Sequence, residues 1–99
     1  MTSRPMEQTP PSADAAALDP RRRRVLYRAT HRGTRENDLL IGGYVARRIA
    51  GMEAAELDAL EALMELPDAA LADWLTGRQP IPAGPYAGLL AAIRAAALA

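Results

Sequence analysis

The chain has 99 residues, of which 12 are basic and 12 acidic, so its formal net charge is zero. It contains no cysteine, which excludes disulfides, zinc-thiolate sites and thiol nucleophiles. His31 is the only histidine, which excludes a metal site built from several histidines of one chain. The length predicts one small domain, and no apolar run approaches the roughly 20 residues that would span a bilayer.

Helical signals begin after an irregular first segment. Residues 1–18 are rich in Pro, Ser, Thr and Ala without periodicity, which predicts a disordered tail. Asp19 and Pro20 predict a helix start, because aspartate caps a helix and proline fits its first turn. This first helix is expected to run to Thr30 and to stop near Gly33, which suits a left-handed terminating position.

A second helix follows, and either Thr34 or Asp38 is expected to cap it. Its sequence contains Gly42 and Gly43, which cost about 1 kcal/mol each relative to alanine in a helix. Their alternative role is to let a neighbouring backbone approach closely.

Three more helices complete the predicted fold. The third is expected over 53–66, with leucines on a core stripe and acidic side chains facing solvent. The fourth begins at Pro67 and ends at Gly77, and the fifth carries an apolar stripe over 86–97. No segment alternates as a strand would. The sequence therefore predicts an all-α, compact five-helix bundle over residues 19–99, behind the disordered N-terminal tail.

Charge is distributed unevenly along the chain. The segment 20–50 carries nine arginines and two acidic residues, a net charge of +7, whereas the segment 51–75 carries seven acidic residues and no basic one. Either one face meets an acidic partner, or the two segments compensate each other within the fold.

Intrinsic catalysis has little support in the sequence. An enzyme needs a nucleophile with a base, or a pair of carboxyl groups in a pocket, and the acids here lie mostly at solvent-facing positions. His31 is either a general base or, more simply, a residue at a helix C-terminus, where a cation is favourable. We therefore expect no enzyme and no catalytic residue.

The run Arg21–Arg24 is the clearest nucleic-acid signal. Arginine pairs well with phosphate, yet no aromatic residue interleaves the run for base stacking, and the whole chain is neutral. A solvated helix face, a protein contact and a nucleic-acid contact all remain as interpretations. A small helical nucleic-acid-binding module is thus one candidate function, and a generic helical adaptor is another.

The segment 32–36, Arg-Gly-Thr-Arg-Glu, is the most unusual local chemistry. Its glycine lacks a Cβ atom, and two arginines and a glutamate surround that bare backbone. The segment is either a docking edge for another protein or an ordinary glycine at a helix end with surface charges beside it.

These residues resemble a known family. Its signature reads Arg-Arg, an aromatic and a small residue, then Arg-Arg-Gly-x-x-Glu-x-Asp, which is similar to residues 23–38. A second block, Leu-x-x-Trp-Leu followed by a glycine and a proline, resembles residues 71–75 and the loop after them. The chain is similar, over about residues 21–93, to the SdhE (succinate dehydrogenase assembly factor 2) family of FAD assembly factors.

The resemblance implies a five-helix bundle and a function. Family members bind the flavoprotein subunit of succinate dehydrogenase, and in some bacteria that of fumarate reductase, and promote covalent attachment of FAD to a histidine of that subunit. Together with the composition, we expect a cytoplasmic monomer without membrane insertion or nucleic acid, which binds no cofactor firmly and no metal; the resemblance implies that it acts on FAD held by the partner. The implied partner-binding residues are Arg23, Arg24, Arg32, Gly33, Arg35, Glu36 and Asp38.

Within this set the resemblance implies distinct roles. Gly33 permits close approach of the partner, and Glu36 makes the essential polar contact near the flavin. Arg32 and Arg35 flank it. His31 is not the histidine that receives FAD. The departures from the family pattern are His31 in place of arginine, Asn37 in place of an apolar residue, and the pair Gly42-Gly43.

Overall fold

The computed structural model describes residues 17–98, and these form an all-α bundle with no strand among them. The predicted five-helix fold is confirmed. Of the predicted tail, only Ala17 and Leu18 are described; the rest of it lies outside the described residues, and Leu18 packs against the core. The helices are α1 (Pro20–Thr30), α2 (Arg35–Arg48), α3 (Ala54–Leu63), α4 (Asp68–Thr76) and α5 (Ala87–Leu98), with a 3₁₀ turn at Ile49–Gly51 after α2.

The helix ends follow from local side chains. The Asp19 carboxylate caps α1 by accepting a hydrogen bond from the backbone N–H of Arg22 at 2.8 Å. Of the two candidates for capping α2, the structure selects Thr34, whose hydroxyl accepts from a backbone N–H of the first turn. Gly77 ends α4 in the left-handed conformation, with φ of 84°.

The prediction for α3 was three residues too long at its C-terminal end. The helix ends at Leu63, because the chain tightens there into 3₁₀-type hydrogen bonds, from Glu65 N to Ala62 O and from Leu66 N to Leu63 O. This tight turn matters for the site, since it leaves backbone carbonyls free beside the start of α4.

A single core joins the five helices, and α2 lies at its centre, in contact with α1, α4 and α5. A Cβ atom added to Gly42 would lie 2.9 Å from Thr30 Cγ2 and 3.1 Å from Ala29 O. The close backbone approach expected at this glycine pair is therefore confirmed for Gly42; a Cβ at Gly43 would meet only Arg47, at 3.9 Å. The largest fully buried apolar side chains are Val25, Ile41, Val45, Leu60, Leu63, Leu71, Leu90 and Ile93.

Candidate functional site

The α1–α2 turn exposes bare backbone at Gly33. This residue has φ of +99°, a conformation that side-chain-bearing residues rarely adopt, and an added Cβ would meet no atom of residues 17–98 within 4 Å. The turn needs glycine for its backbone angle, and the same glycine leaves open space above it. A partner's backbone can therefore approach this point closely.

Arg32 directly precedes Gly33, and its side chain points into the protein. Its side chain is only 9% exposed, and its Nε donates to Asp68 Oδ1 at 2.6 Å. Its two Nη atoms donate to the carbonyl oxygens of Met64 at 2.9 Å and Leu66 at 3.3 Å. These are carbonyls of the tight turn after α3, so the Arg32 guanidinium fastens the α1–α2 turn to the α3–α4 connection.

Two neighbouring side chains complete this inner cluster. The backbone N–H of Arg32 donates to Asp38 Oδ1 at 2.6 Å, which fixes the turn against α2. Asn37 is fully buried, and its Nδ2 donates to Asp68 O at 2.9 Å and to Asp68 Oδ1 at 3.1 Å. Asn37 Oδ1 accepts no hydrogen bond from any of the described residues. The Asn37 side-chain amide thus gives Asp68 a second donor.

Asp68 is the acceptor on which the inner cluster converges. Partial burial raises the pKa of its carboxyl, but hydrogen bonds from Arg32 and Asn37 outweigh that effect, so the net pKa lies below its usual value. The carboxylate therefore stays ionised at neutral pH and balances the guanidinium charge. The sequence marked Asp68 only as part of a helix start, because its partners lie 36 and 31 positions away.

The outer side of the turn carries Arg35 and Glu36, both exposed in the first turn of α2. Glu36 Oε1 accepts a hydrogen bond from Arg78 Nη2 at 3.4 Å, and Arg78 Nε donates to Asp73 Oδ1 at 2.9 Å. Arg35 makes no ion pair with any residue of 17–98. We call Gly33, Arg35, Glu36 and Arg78 the docking edge.

Arg78 was missed by the sequence analysis, and no local pattern marks it. It lies 42 positions after Glu36, in the loop beyond α4, and only the packing of α4 against α2 brings the two together. The carboxylates of Asp73 and Glu36 raise the pKa of its guanidinium further, so it is a permanent cation beside Glu36.

The first two arginines of the run at the start of α1 form ion pairs with acidic residues of this chain. Arg21 pairs with Asp58 at 2.6 Å and with Glu61 at 2.9 Å. Arg22 pairs with Asp19 and donates to the carbonyl oxygens of two residues after α2. Glu61 is one of the acidic side chains of α3 that were expected to face solvent, but it is half-buried where it pairs with Arg21. Arg21 therefore contributes to the packing of α1 against α3 and is not free to bind a partner.

The remaining predicted residues of this helix are Arg23 and Arg24, both exposed. Arg23 Nη1 donates to Leu18 O at 2.5 Å, and Arg24 makes no ion pair within residues 17–98. They lie on α1, at a distance along the chain from the docking edge, and nothing in the fold groups them with Glu36. Their contact with a partner stays a prediction.

His31 is the C-cap of α1, as the helix-end interpretation expected. Its ring stacks on Tyr27 with centroids 4.0 Å apart, and its Nδ1 lies 2.9 Å from the carbonyl oxygen of Tyr27. The imidazole thus lies beside the last turn of α1, where the Thr30 hydroxyl also donates to the carbonyl oxygens of Leu26 and Tyr27.

The part of the chain containing this geometry matches a family model, described as flavinator of succinate dehydrogenase, over residues 23–97. The chain belongs to this family. It is 52% identical over 65 residues to the FAD assembly factor SdhE of Acetobacter pasteurianus, covering 66% of this chain and 60% of the relative. It is 36% identical over 73 residues to succinate dehydrogenase assembly factor 2, mitochondrial, of Mycosarcoma maydis, covering 74% and 31% respectively.

A third family member, succinate dehydrogenase assembly factor 2, mitochondrial, of Candida glabrata, is 33% identical over 69 residues, covering 67% of this chain and 45% of the relative. The chain thus spans between about a third and three fifths of the length of these relatives. No solved structure matches it. The family predicted from the sequence is confirmed, and the inner cluster and the docking edge both lie inside the matched range.

Two further properties concern the described residues alone. None of their helices has both the length and the apolar character that crossing a bilayer requires. Between residues 17 and 98, no three His, Asp or Glu side chains gather in a group that would hold a metal ion.

Proposed function

We propose that the chain is an assembly factor that binds the flavoprotein subunit of succinate dehydrogenase and promotes covalent attachment of FAD to a histidine of that subunit. The observation that carries this proposal is the family match over residues 23–97, which includes the docking edge. The printed names of the relatives, an FAD assembly factor and succinate dehydrogenase assembly factors, support it.

The docking edge suits a contact with a protein better than a reaction. Gly33 admits a partner backbone, and Arg35 and Glu36 offer opposite charges to the partner's side chains on either side of that point. The flavin and the partner's histidine carry the bond formation themselves. The chain contributes by binding more tightly to the flavoprotein conformation in which those two groups are aligned.

On this proposal the chain is not an enzyme and holds no cofactor of its own. It meets FAD only as a group held by the flavoprotein, in the cytoplasm, and the homologous subunit of fumarate reductase is a second client. The nucleic-acid alternative loses support, because Arg21 and Arg22 have carboxylate partners within the chain.

The test is co-expression of the flavoprotein subunit with Glu36→Ala or Gly33→Arg, followed by in-gel flavin fluorescence of the denatured subunit. Both variants should lose most of the covalent flavin. Glu65→Ala is a matched control for the first, since Glu65 is also an exposed glutamate paired with an arginine, Arg28, at 2.5 Å. Gly51→Arg is a matched control for the second, because Gly51 is also exposed with open space around it.

Thermal unfolding of each variant separates loss of docking from loss of folding. Unchanged flavinylation with both Glu36→Ala and Gly33→Arg would refute the role assigned to the docking edge. Equal loss with the two control variants would show that any surface change on this bundle suffices, which would also refute it.

A further inference from the structure

A closed turn and an ion pair hold Arg78 at the docking edge. Gly77, with φ of 84°, turns the chain after α4, and the backbone N–H of Gln79 donates to Asp73 O at 3.1 Å, closing the turn around Arg78. The ion pair with Asp73 at 2.9 Å then orients the guanidinium. Backbone and side-chain contacts together direct one face of Arg78 toward α2.

That face meets the carboxylate of Glu36. Arg78 Nη2 lies 3.4 Å from Glu36 Oε1, while Glu36 Oε2 makes no hydrogen bond with any residue of 17–98. Both side chains are about half exposed in the free chain. Water therefore still solvates the pair, and one oxygen of Glu36 remains open for a donor from outside.

Binding of a partner would change the hydration of the Arg78–Glu36 pair. When a partner covers Glu36, its carboxylate loses water, and an uncompensated carboxylate in an interface is unfavourable. A cation already held beside it offsets that cost without an additional group from the partner. The same cation limits the directions in which the carboxylate can point, which lowers the entropy lost on binding.

We propose that Arg78 is a positioning residue of the docking edge: held by Asp73, it orients the Glu36 carboxylate and remains its counter-cation when the flavoprotein subunit covers it. The interface accordingly extends from the α1–α2 turn to the loop after α4, and Glu36 Oε2 receives a donor from the flavoprotein. This inference rests on the proposed function, since it assumes that Glu36 meets that subunit.

The test measures the affinity of the purified chain for the flavoprotein subunit prepared without covalent FAD. We expect Arg78→Gln to weaken binding about tenfold, which corresponds to about 1.4 kcal/mol. Arg78→Lys should retain most of the affinity, because it keeps the charge. In a Glu36→Gln background, Arg78→Gln should have no further effect, because the carboxylate it serves is absent.

Arg28→Gln is the matched control, since Arg28 is also an exposed arginine paired with a glutamate, and it should leave affinity unchanged. Additive effects of Arg78→Gln and Glu36→Gln would overturn the inference, because they would show two independent contacts. So would full affinity of Arg78→Gln alongside weakened binding by Glu36→Ala, an outcome that leaves the proposed function standing. Full affinity of Arg78→Gln, Glu36→Ala and Gly33→Arg would overturn both.

Discussion

Two arginines of the same five-residue segment have opposite environments. The Arg32 side chain is 9% exposed and donates to one carboxylate and two carbonyl oxygens. Arg35, three positions later, is exposed and makes no ion pair with any residue of 17–98. The segment therefore has an inner side that fastens the turn to the bundle and an outer side that is open to a partner.

The acidic residues near this segment also fall into an inner and an outer group. Asp38 and Asp68 accept hydrogen bonds from the inner side, whereas Glu36 lies on the docking edge beside Arg78. The charge pattern that the sequence presents as one motif is therefore split in the fold, with one part bonded inside the bundle and the other exposed. Substitutions on the inner side should change folding stability, and substitutions on the outer side should change partner binding.

The largest expected effect is that of Arg32→Ala. It removes a nearly buried cation and leaves the Asp68 carboxylate and two carbonyl oxygens without their donor, so we expect the free energy of unfolding to fall by about 3 kcal/mol. Urea denaturation followed by circular dichroism measures this loss.

Arg35→Ala is the matched control, because it removes an arginine from the same segment on its outer side. Its free energy of unfolding should stay within about 0.5 kcal/mol of the parent value. Equal stabilities of the two variants would contradict the division of the segment into an inner and an outer side.

Local signals in the sequence were sufficient to predict the number and order of the helices and most of their ends. Asp19 and Gly77 mark helix ends through their own backbone and side-chain chemistry, and the structure confirms both. Thr34 was one of two candidate caps for α2, and the structure decides between them. The leucine stripe of α3 is buried for the same reason, since helical periodicity places its members on one face. Gly33 was also predictable as a turn, because a positive φ favours glycine.

The sequence contains no comparable local signal for contacts between distant segments. The burial of Arg32 depends on the early end of α3, which frees the carbonyls of Met64 and Leu66, and that end was placed three residues too late. Likewise Arg78 reaches Glu36 only through the packing of α4 on α2. Sequence patterns describe neighbours along the chain, whereas these contacts join positions more than 30 residues apart.

The charge asymmetry shows the same limit. The sequence left open whether the basic and acidic segments meet a partner or each other. The structure joins them at three places, where Arg21, Arg28 and Arg32 pair with carboxylates of the acidic segment. Compensation within the fold therefore accounts for part of the asymmetry, and the exposed Arg35 belongs to the remainder.

A second, smaller effect is the pH dependence contributed by Asp68. Its pKa in the folded chain lies below the unfolded value of about 3.8, so its stabilising contribution is present above that pH and is lost as the pH falls toward the folded pKa. Asp68→Asn should therefore be less stable than the parent at neutral pH, and the gap should narrow below about pH 4. Urea denaturation at a series of pH values measures it.

The Arg32→Ala background provides the control for that experiment. Of the two hydrogen bonds that lower the pKa of Asp68, the one from Arg32 has the larger effect, so Asp68→Asn in this background should show much less pH dependence. A stability gap that stays constant from neutral to acidic pH would contradict the assignment of Asp68 as an ionised acceptor of the inner cluster.

Among the variants that we expect to lose stability, the smallest loss is predicted at Gly33, where the outer side contributes to folding through one backbone angle. Gly33→Ala forces a side-chain-bearing residue to φ near +99°, and we expect a loss of about 1 kcal/mol although the methyl group meets no atom of the described part of the chain within 4 Å. Gly51→Ala is the control, because Gly51 also has open space but no positive φ, and it should not be destabilised. Equal losses at the two glycines would show that the backbone angle is not what requires glycine at the turn. A loss confined to Gly33 would mean that the requirements of folding and of docking coincide at this position.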